Sequence, residues 1–244
     1  MHVSTLLLLV LVAAVGYYVD GKNCCFPSRY RVSTVGGIFY DPGSIKPRLE
    51  IAAIVARDAA RNVVGTKRKS AEVETGKKWV TRKVKKFDAK TLTAKVWTIL
   101  TVGNETTCRL DVVPGVDNPC IPDSFTRLEP IWYGNLTGES LMIDRYQLKS
   151  IVPRDGSDEW FEYTVFVAPK PDGTCVLTNE MKEYTTPDGV AGYLRNYGNF
   201  SVPKTDAGFA DLFYVPEDIC PMELDVAAPK NLFEEYLKSD NWMF

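Results

Sequence analysis

The chain has 244 residues, 45% of them hydrophobic and 25% charged, which is enough apolar material for a full core and fits one large β domain. Its formal net charge of −2 gives no general attraction to nucleic acid or to acidic membranes, so any partner has to be argued from local features.

The N-terminus carries an unbroken apolar run from Leu6 to Val15, followed by small residues with Ala14 and Gly16, or Val19 and Gly21, in cleavage positions. This is the pattern of a secretory signal peptide over residues 1–21; the length of the run is nearer an h-region than a bilayer span, with a signal anchor as the alternative. No later segment is long and apolar enough to span a bilayer, so the mature protein is expected to be non-membrane and extracellular, with lysosomal delivery left open. Residues 22–221 read as one β domain and residues 222–244 as a tail with a short helix.

Tyr30 to Tyr40 alternates as a strand broken at Gly36-Gly37, and Asp41-Pro42-Gly43 supplies a turn. Arg48 to Ala60 is ambiguous between helix and strand, and its strand neighbours favour strand. Residues 67–95 hold eleven Lys and Arg against Glu72, Glu74 and Asp88, a local net charge of +8. The block suggests anionic glycans or lipid headgroups as partners; the bland alternative is that Trp79 to Phe87 is a strand whose lysines face water or guard an edge. It lacks the evenly spaced aromatic platform of single-strand nucleic-acid binders, so no nucleic-acid partner is expected.

Lys95 to Val102 (KVWTILTV) is strongly β with two apolar faces, which predicts a central strand packed on both sides. After a bend at Asn104 and a strand from Arg109 to Val113, Cys120 to Leu148 reads as a hairpin anchored by a cysteine. Two apolar runs flank a Gly-Asn-Leu-Thr-Gly bend, and Ile131, Tyr133, Leu141 and Ile143 need cover. Trp160 to Val167 is a second strong strand, bounded by Asp155-Gly156-Ser157-Asp158 and Pro171-Asp172-Gly173. Val176 to Tyr184, Val190 to Tyr197 and Phe209 to Val215 continue the strand rhythm. Asn231 to Lys238 is the exception: Asn231 caps, Glu234 takes the box position, and Leu232, Phe233, Tyr236 and Leu237 form one apolar stripe of a short helix. The expected fold is mostly β, with curved antiparallel sheets forming a sandwich or half-barrel and a short C-terminal helix.

Three acceptor sequons start at Asn104, Asn135 and Asn199, and the six cysteines (Cys24, Cys25, Cys108, Cys120, Cys175, Cys220) all lie after the signal run. Both features suit a glycoprotein with three disulfides in an oxidising compartment. Six cysteines allow 15 pairings, and joining the adjacent Cys24 and Cys25 would force a strained ring, so these two are expected to reach different partners.

The only histidine is His2, inside the expected signal peptide of residues 1–21. The mature chain therefore holds no histidine for a Ser or Cys triad, a zinc site or haem ligation. Asp158, Glu159 and Glu162 cluster before an aromatic strand, but acidic turns of this kind are usually solvated, and no glycine-rich phosphate loop accompanies them. A non-catalytic protein without an organic cofactor is expected. Asp155, Asp158 and Glu159 offer oxygen ligands for calcium without an EF-hand pattern, so the metal site stays unknown.

Several features occur in an order that resembles the ependymin-related proteins: Cys24-Cys25-Phe26-Pro27, Cys108, Cys120-Ile121-Pro122, Trp132-Tyr133-Gly134, Cys175 after an aromatic strand, and Val215-Pro216 to Cys220. The resemblance covers roughly residues 23 to 221. It implies a secreted glycoprotein, often dimeric and sometimes calcium-binding, with a curved β fold similar to bacterial lipoprotein carriers around an apolar pocket. It also implies pairing Cys108 with Cys220, one of Cys24 or Cys25 with Cys175, and the other with Cys120. The expected activity is binding of a lipid or other apolar ligand, with Trp97, Ile99, Tyr133, Leu141, Phe161 and Phe166 as pocket candidates and a homodimer as the assembly. The competing expectation is a matrix or cell-adhesion component acting through glycans, calcium and the basic face.

Overall fold

The computed structural model describes residues 24–39, 49–115, 117–134, 140–154, 157–186 and 189–223. Among them run eleven strands: β1 (Arg29–Phe39), β2 (Leu49–Asp58), β3 (Val63–Glu72), β4 (Lys78–Asp88), β5 (Thr93–Val102), β6 (Glu105–Pro114), β7 (Thr126–Gly134), β8 (Ser140–Arg154), β9 (Ser157–Pro169), β10 (Cys175–Thr186) and β11 (Gly189–Ser201). All pair antiparallel in one curved, unclosed sheet of order β6-β5-β4-β3-β2-β1-β11-β10-β9-β8-β7. Two meanders, β1 to β6 and β7 to β11, are therefore joined where the first strand meets the last. The link after β6 has to carry the chain from one edge of the sheet to the other.

Alternation sets the two faces. In β2, Leu49, Ile51 and Ala53 are buried while Glu50 and Ala52 are exposed, the period-two pattern of a strand with one covered side. We call the covered side inner. Gly36 shows which way the sheet folds: a Cβ there would lie 2.1 Å from the Leu194 carbonyl oxygen on β11. Because Gly36 shares its face with buried Thr34 and Ile38, the β11 meander bends over the inner side, and only glycine permits that approach.

Two apolar clusters fill the inner face. Ile38, Leu49, Ile51, Trp79, Leu100 and Tyr193 pack near the β1–β11 seam. Ile121, Tyr146, Tyr163, Val165, Val167 and Cys175 form the second, with Phe26 of the N-terminal segment and Phe125 of the β6–β7 link packed against them. On the outer face a C-terminal strap covers β2 to β6. It begins with a single 3-10 turn (Asp206–Gly208) and a one-turn helix, α1 (Ala210–Phe213). Phe209 and Leu212 bury onto Ala56, and Gly65 leaves room for the turn, since a Cβ there would meet the Leu212 oxygen at 2.5 Å. Val215 and Cys220 then pack on Val84, Trp97 and Leu110, while the indole N–H of Trp97 donates to the Pro221 carbonyl at 2.9 Å.

Several expectations need correction. β1 runs unbroken through Gly36-Gly37, because both glycines keep register with β2 and β11. The segment 209–215 is the helical strap rather than a strand; Phe209, Leu212 and Phe213 have helical spacing, and the apolar run disguised it. β4 is interior, so its lysines guard no edge. β5 is packed on both faces as expected, with Trp97 3% and Leu100 1% exposed, yet it stands second from the edge because the strap supplies its outer cover. Within the ambiguous 48–60 stretch, Leu49–Asp58 form a strand, β2, followed by a 3-10 turn (Ala59–Arg61). The signal run and the 231–238 helix lie outside the described residues.

Candidate functional site

Three disulfides hold the sheet to its covers. Cys24–Cys175 and Cys25–Cys120, with Cα atoms 5.8 and 3.9 Å apart, tie the N-terminal segment to β10 and to the β6–β7 link. Cys108–Cys220, at 5.0 Å, ties the strap to β6. The link is held a second way, by Asp117, whose carboxylate accepts from Arg57 Nη2 at 2.6 Å and Nε at 3.0 Å.

Between the two inner clusters lies a charged band. Arg195 Nη1 stands 3.0 Å from Glu180 Oε1, with both side chains about 95% buried. The Tyr163 hydroxyl donates to Glu180 Oε2 at 2.8 Å, and Arg195 Nη1 donates to the Tyr197 hydroxyl at 3.2 Å. The Arg195 guanidinium also lies over the Tyr193 ring, 5.0 Å from its centroid. Burial works against the Arg195 charge, but the Glu180 carboxylate and the tyrosine oxygens outweigh it and raise its pKa. Burial first, and Glu180 second, push the Tyr163 hydroxyl well above the usual phenol range. Arg68, on β3, is 2% exposed and donates from Nε to Ser70 Oγ at 2.9 Å. The band joins β10, β11 and β9 through buried hydrogen-bonded and paired polar groups, which strengthen one another away from water.

The outer face carries an open groove of about 750 Å³. Its lining follows one row across the sheet: Val35 pairs with Ala52, Ala52 with Lys69, Lys69 with Val80, and Val80 with Thr101. A second row, Glu50, Ala71 and Lys78, lies beside it. The intervening Ile51, Ser70 and Trp79, whose side chains point inward, and Gly36 complete the floor. Five strands with four gaps make the row about 19 Å long. Val35 is 59% exposed and marks the apolar end; Lys69 and Lys78 bring two ammonium groups to the other strands, against Glu50.

The residues singled out as pocket candidates are not brought together. Trp97 and Ile99 are sealed on the outer face beneath the strap. Phe161 packs at the rim of the inner cluster around Tyr163, and Phe166, one register position from inward Val165, is a half-buried outer residue. Leu141 is 52% exposed at the β7–β8 hairpin, where it pairs with Tyr133, whose side chain lies outside the described residues. Further down that hairpin, Ile143 is 2% exposed opposite Ile131, so this part of the hairpin is covered.

Asn104 sits exposed in the turn between β5 and β6, and Asn199 is exposed on β11 with a left-handed φ of 52°, both open to a glycan; Asn135 lies outside the described residues. Asp155 also lies outside them, as do the side chains of Asp158 and Glu159. Among the described residues no group of three or more His, Cys, Asp or Glu could hold a metal ion. The basic block divides between the faces. Lys67, Lys69, Lys78, Arg82 and Lys86 point outward from β3 and β4, while Arg68, Lys83 and Lys85 point inward. Arg82 donates to the Asp211 carbonyl at 3.2 Å, Lys86 lies over the Trp97 ring, and Lys95 donates to the Met222 carbonyl at 3.4 Å. Part of the block therefore holds the strap, a role that composition alone did not reveal.

The Val35–Thr101 row and the Glu180–Arg195 pair were both missed in the sequence. The signal for the row was available, because Val35, Ala52 and Val80 occupy the supposedly solvated phase of their strands. No protein-family model matches the chain, and no curated protein sequence matches it either.

Proposed function

We propose that the chain is an ependymin-related, extracellular binding protein that holds a lipid or another apolar ligand in the outer groove. The groove carries this reading. Its volume of about 750 Å³ falls in the range of small-molecule sites, roughly 300–1,000 Å³. Val35, Ala52, Ala71 and Val80 provide apolar surface, and Lys69 and Lys78 stand where an acidic headgroup would meet them. Three disulfides, which persist in oxidising compartments, support the extracellular assignment.

Native mass spectrometry of the purified protein, before and after organic extraction, tests the reading. A co-purifying lipid that is removed by extraction and rebinds on readdition is the expected result. A protein that carries no adduct and takes up no added fatty acid would overturn the proposal.

A further inference from the structure

Residues that face each other across an antiparallel pair have Cβ atoms about 4.5–5.5 Å apart, and like charges at such positions destabilise a sheet. The outer face breaks this rule beside the strap. Lys67 of β3 stands directly opposite Arg82 of β4, and Lys69 follows on the same face of β3, about 7 Å along the strand. Among the described residues none of these three cations has a carboxylate within ion-pair distance to offset the repulsion. The carboxylate of Asp211, on α1, is turned to Arg31, with Oδ1 3.9 Å from Nη1.

Arg82 is the fixed member of the group. Its Nη1 donates to the Asp211 main-chain carbonyl at 3.2 Å, and its guanidinium lies over the Tyr214 ring, 5.9 Å from the centroid. The other donors of its fork meet no acceptor among the described residues. Tyr214 is 59% exposed, so this flank of the strap is open to solvent. An anion seated between Lys67 and Arg82, within reach of Lys69, turns mutual repulsion into three attractive contacts. A carboxylate brings one charge and two oxygens. A phosphate monoester brings about −1.5 to −2 at pH 7 and three strong acceptor oxygens, and the arginine fork meets it bidentately. We propose that Lys67, Lys69 and Arg82 form a binding site for a phosphate monoester. Lys78, diagonal to Lys69 on β4, adds a fourth cation at its rim. The site adjoins the groove through Lys69, whereas Lys67 and Arg82 lie beyond the groove lining. It therefore stands whether the phosphate is free or heads an acyl chain laid along the groove towards Val35.

Isothermal titration of the full chain with glycerol phosphate, with a lysophosphatidic acid below its micelle concentration, and with a fatty acid of the same chain length provides the test. Saturable binding of the phosphate ligands is expected. Lysophosphatidic acid tighter than glycerol phosphate by tenfold or more identifies a lipid headgroup as the source, and a smaller difference identifies a free phosphomonoester. Arg82→Lys, which keeps the charge and loses the fork, and Lys69→Ala should each weaken phosphate binding about tenfold or more. Lys67→Glu sets a carboxylate opposite Arg82, so it should raise the Tm while abolishing phosphate binding, which a misfolded variant would not do. No binding of either phosphate ligand, a fatty acid bound as tightly as lysophosphatidic acid, or phosphate binding retained in Lys67→Glu would each overturn the proposal.

Discussion

Truncating Glu180 to alanine is the sharpest test of how the inner face is held. In the native fold its carboxylate meets Arg195 at 3.0 Å and accepts the Tyr163 hydroxyl at 2.8 Å, with almost no solvent access. The substitution leaves a guanidinium buried beside tyrosines without its carboxylate, a loss of about 3–5 kcal/mol for breaking a buried pair. For a chain of this size that lowers the Tm by roughly 6–20 °C, at about 2–4 °C per kcal/mol. Glu180→Gln, which keeps an acceptor for Tyr163, should lose less. Pairing Glu180→Leu with Arg195→Met removes both charges together, so the double variant should cost at least about 1.5 kcal/mol less than the two singles combined. Calorimetry or urea unfolding of the oxidised protein at pH 7 reads all of these. Costs below about 1 kcal/mol for Glu180→Ala, or additivity within about 0.5 kcal/mol, would refute the claim that the pair is a coupled, desolvated unit.

Three further outcomes follow from the geometry. Asp172 has its carboxyl held down to about 2, first by the Thr174 hydroxyl, then by the Thr174 amide and Lys170; since the folded pKa is depressed, its contribution is present above the unfolded value of about 3.9 and is lost as pH falls through about 2, and an NMR titration of its side chain should place the midpoint there rather than near 4. Gly36→Ala drives a Cβ into the Leu194 carbonyl and should destabilise the β1–β11 seam, read as faster amide exchange along both strands; unchanged exchange would contradict the fold of the sheet about that seam. Replacing Cys108 and Cys220 with alanine opens a closure of 112 residues, worth about 4–5 kcal/mol by chain entropy, and should release the strap so that Trp97 fluorescence shifts towards that of an exposed indole.

Most strands were legible because stretches such as Lys95–Val102 and Trp160–Val167 are strongly β and because Gly, Pro, Asn and Asp punctuate the hairpins; at Leu49–Ala53 the period of two was blurred by alanines and helical spacing, and only the neighbouring strands pointed to a strand. The strap was misread because Phe209 to Val215 is a short apolar run, where helix and strand cannot be separated by periodicity. Arg68 was hidden inside Lys67-Arg68-Lys69: only alternation on a strand sends the middle cation inward and its neighbours out. The pocket candidates failed to converge for a related reason. Trp97 and Phe161 sit on strongly apolar, aromatic-rich strands, and such side chains fill the two covered faces rather than line one pocket. The groove instead takes one modest residue from each of five strands, separated by up to 66 positions from Val35 to Thr101, and pairing register alone unites them. The charged pair is similar, since nothing local marks Glu180 and Arg195 as neighbours until β10 and β11 are aligned.

Binding of a fluorescent long-chain fatty acid to the wild-type chain and to Val35→Asp and Val80→Asp variants tests the groove most directly. Both substitutions place a carboxylate on exposed or half-buried outer positions that leave the inner clusters untouched. The expected result is saturable binding by the wild type, weakened about tenfold or more in each variant, the equivalent of about 1.4 kcal/mol. Binding that is absent in the wild type, or equal in all three proteins, would contradict a ligand held in the groove.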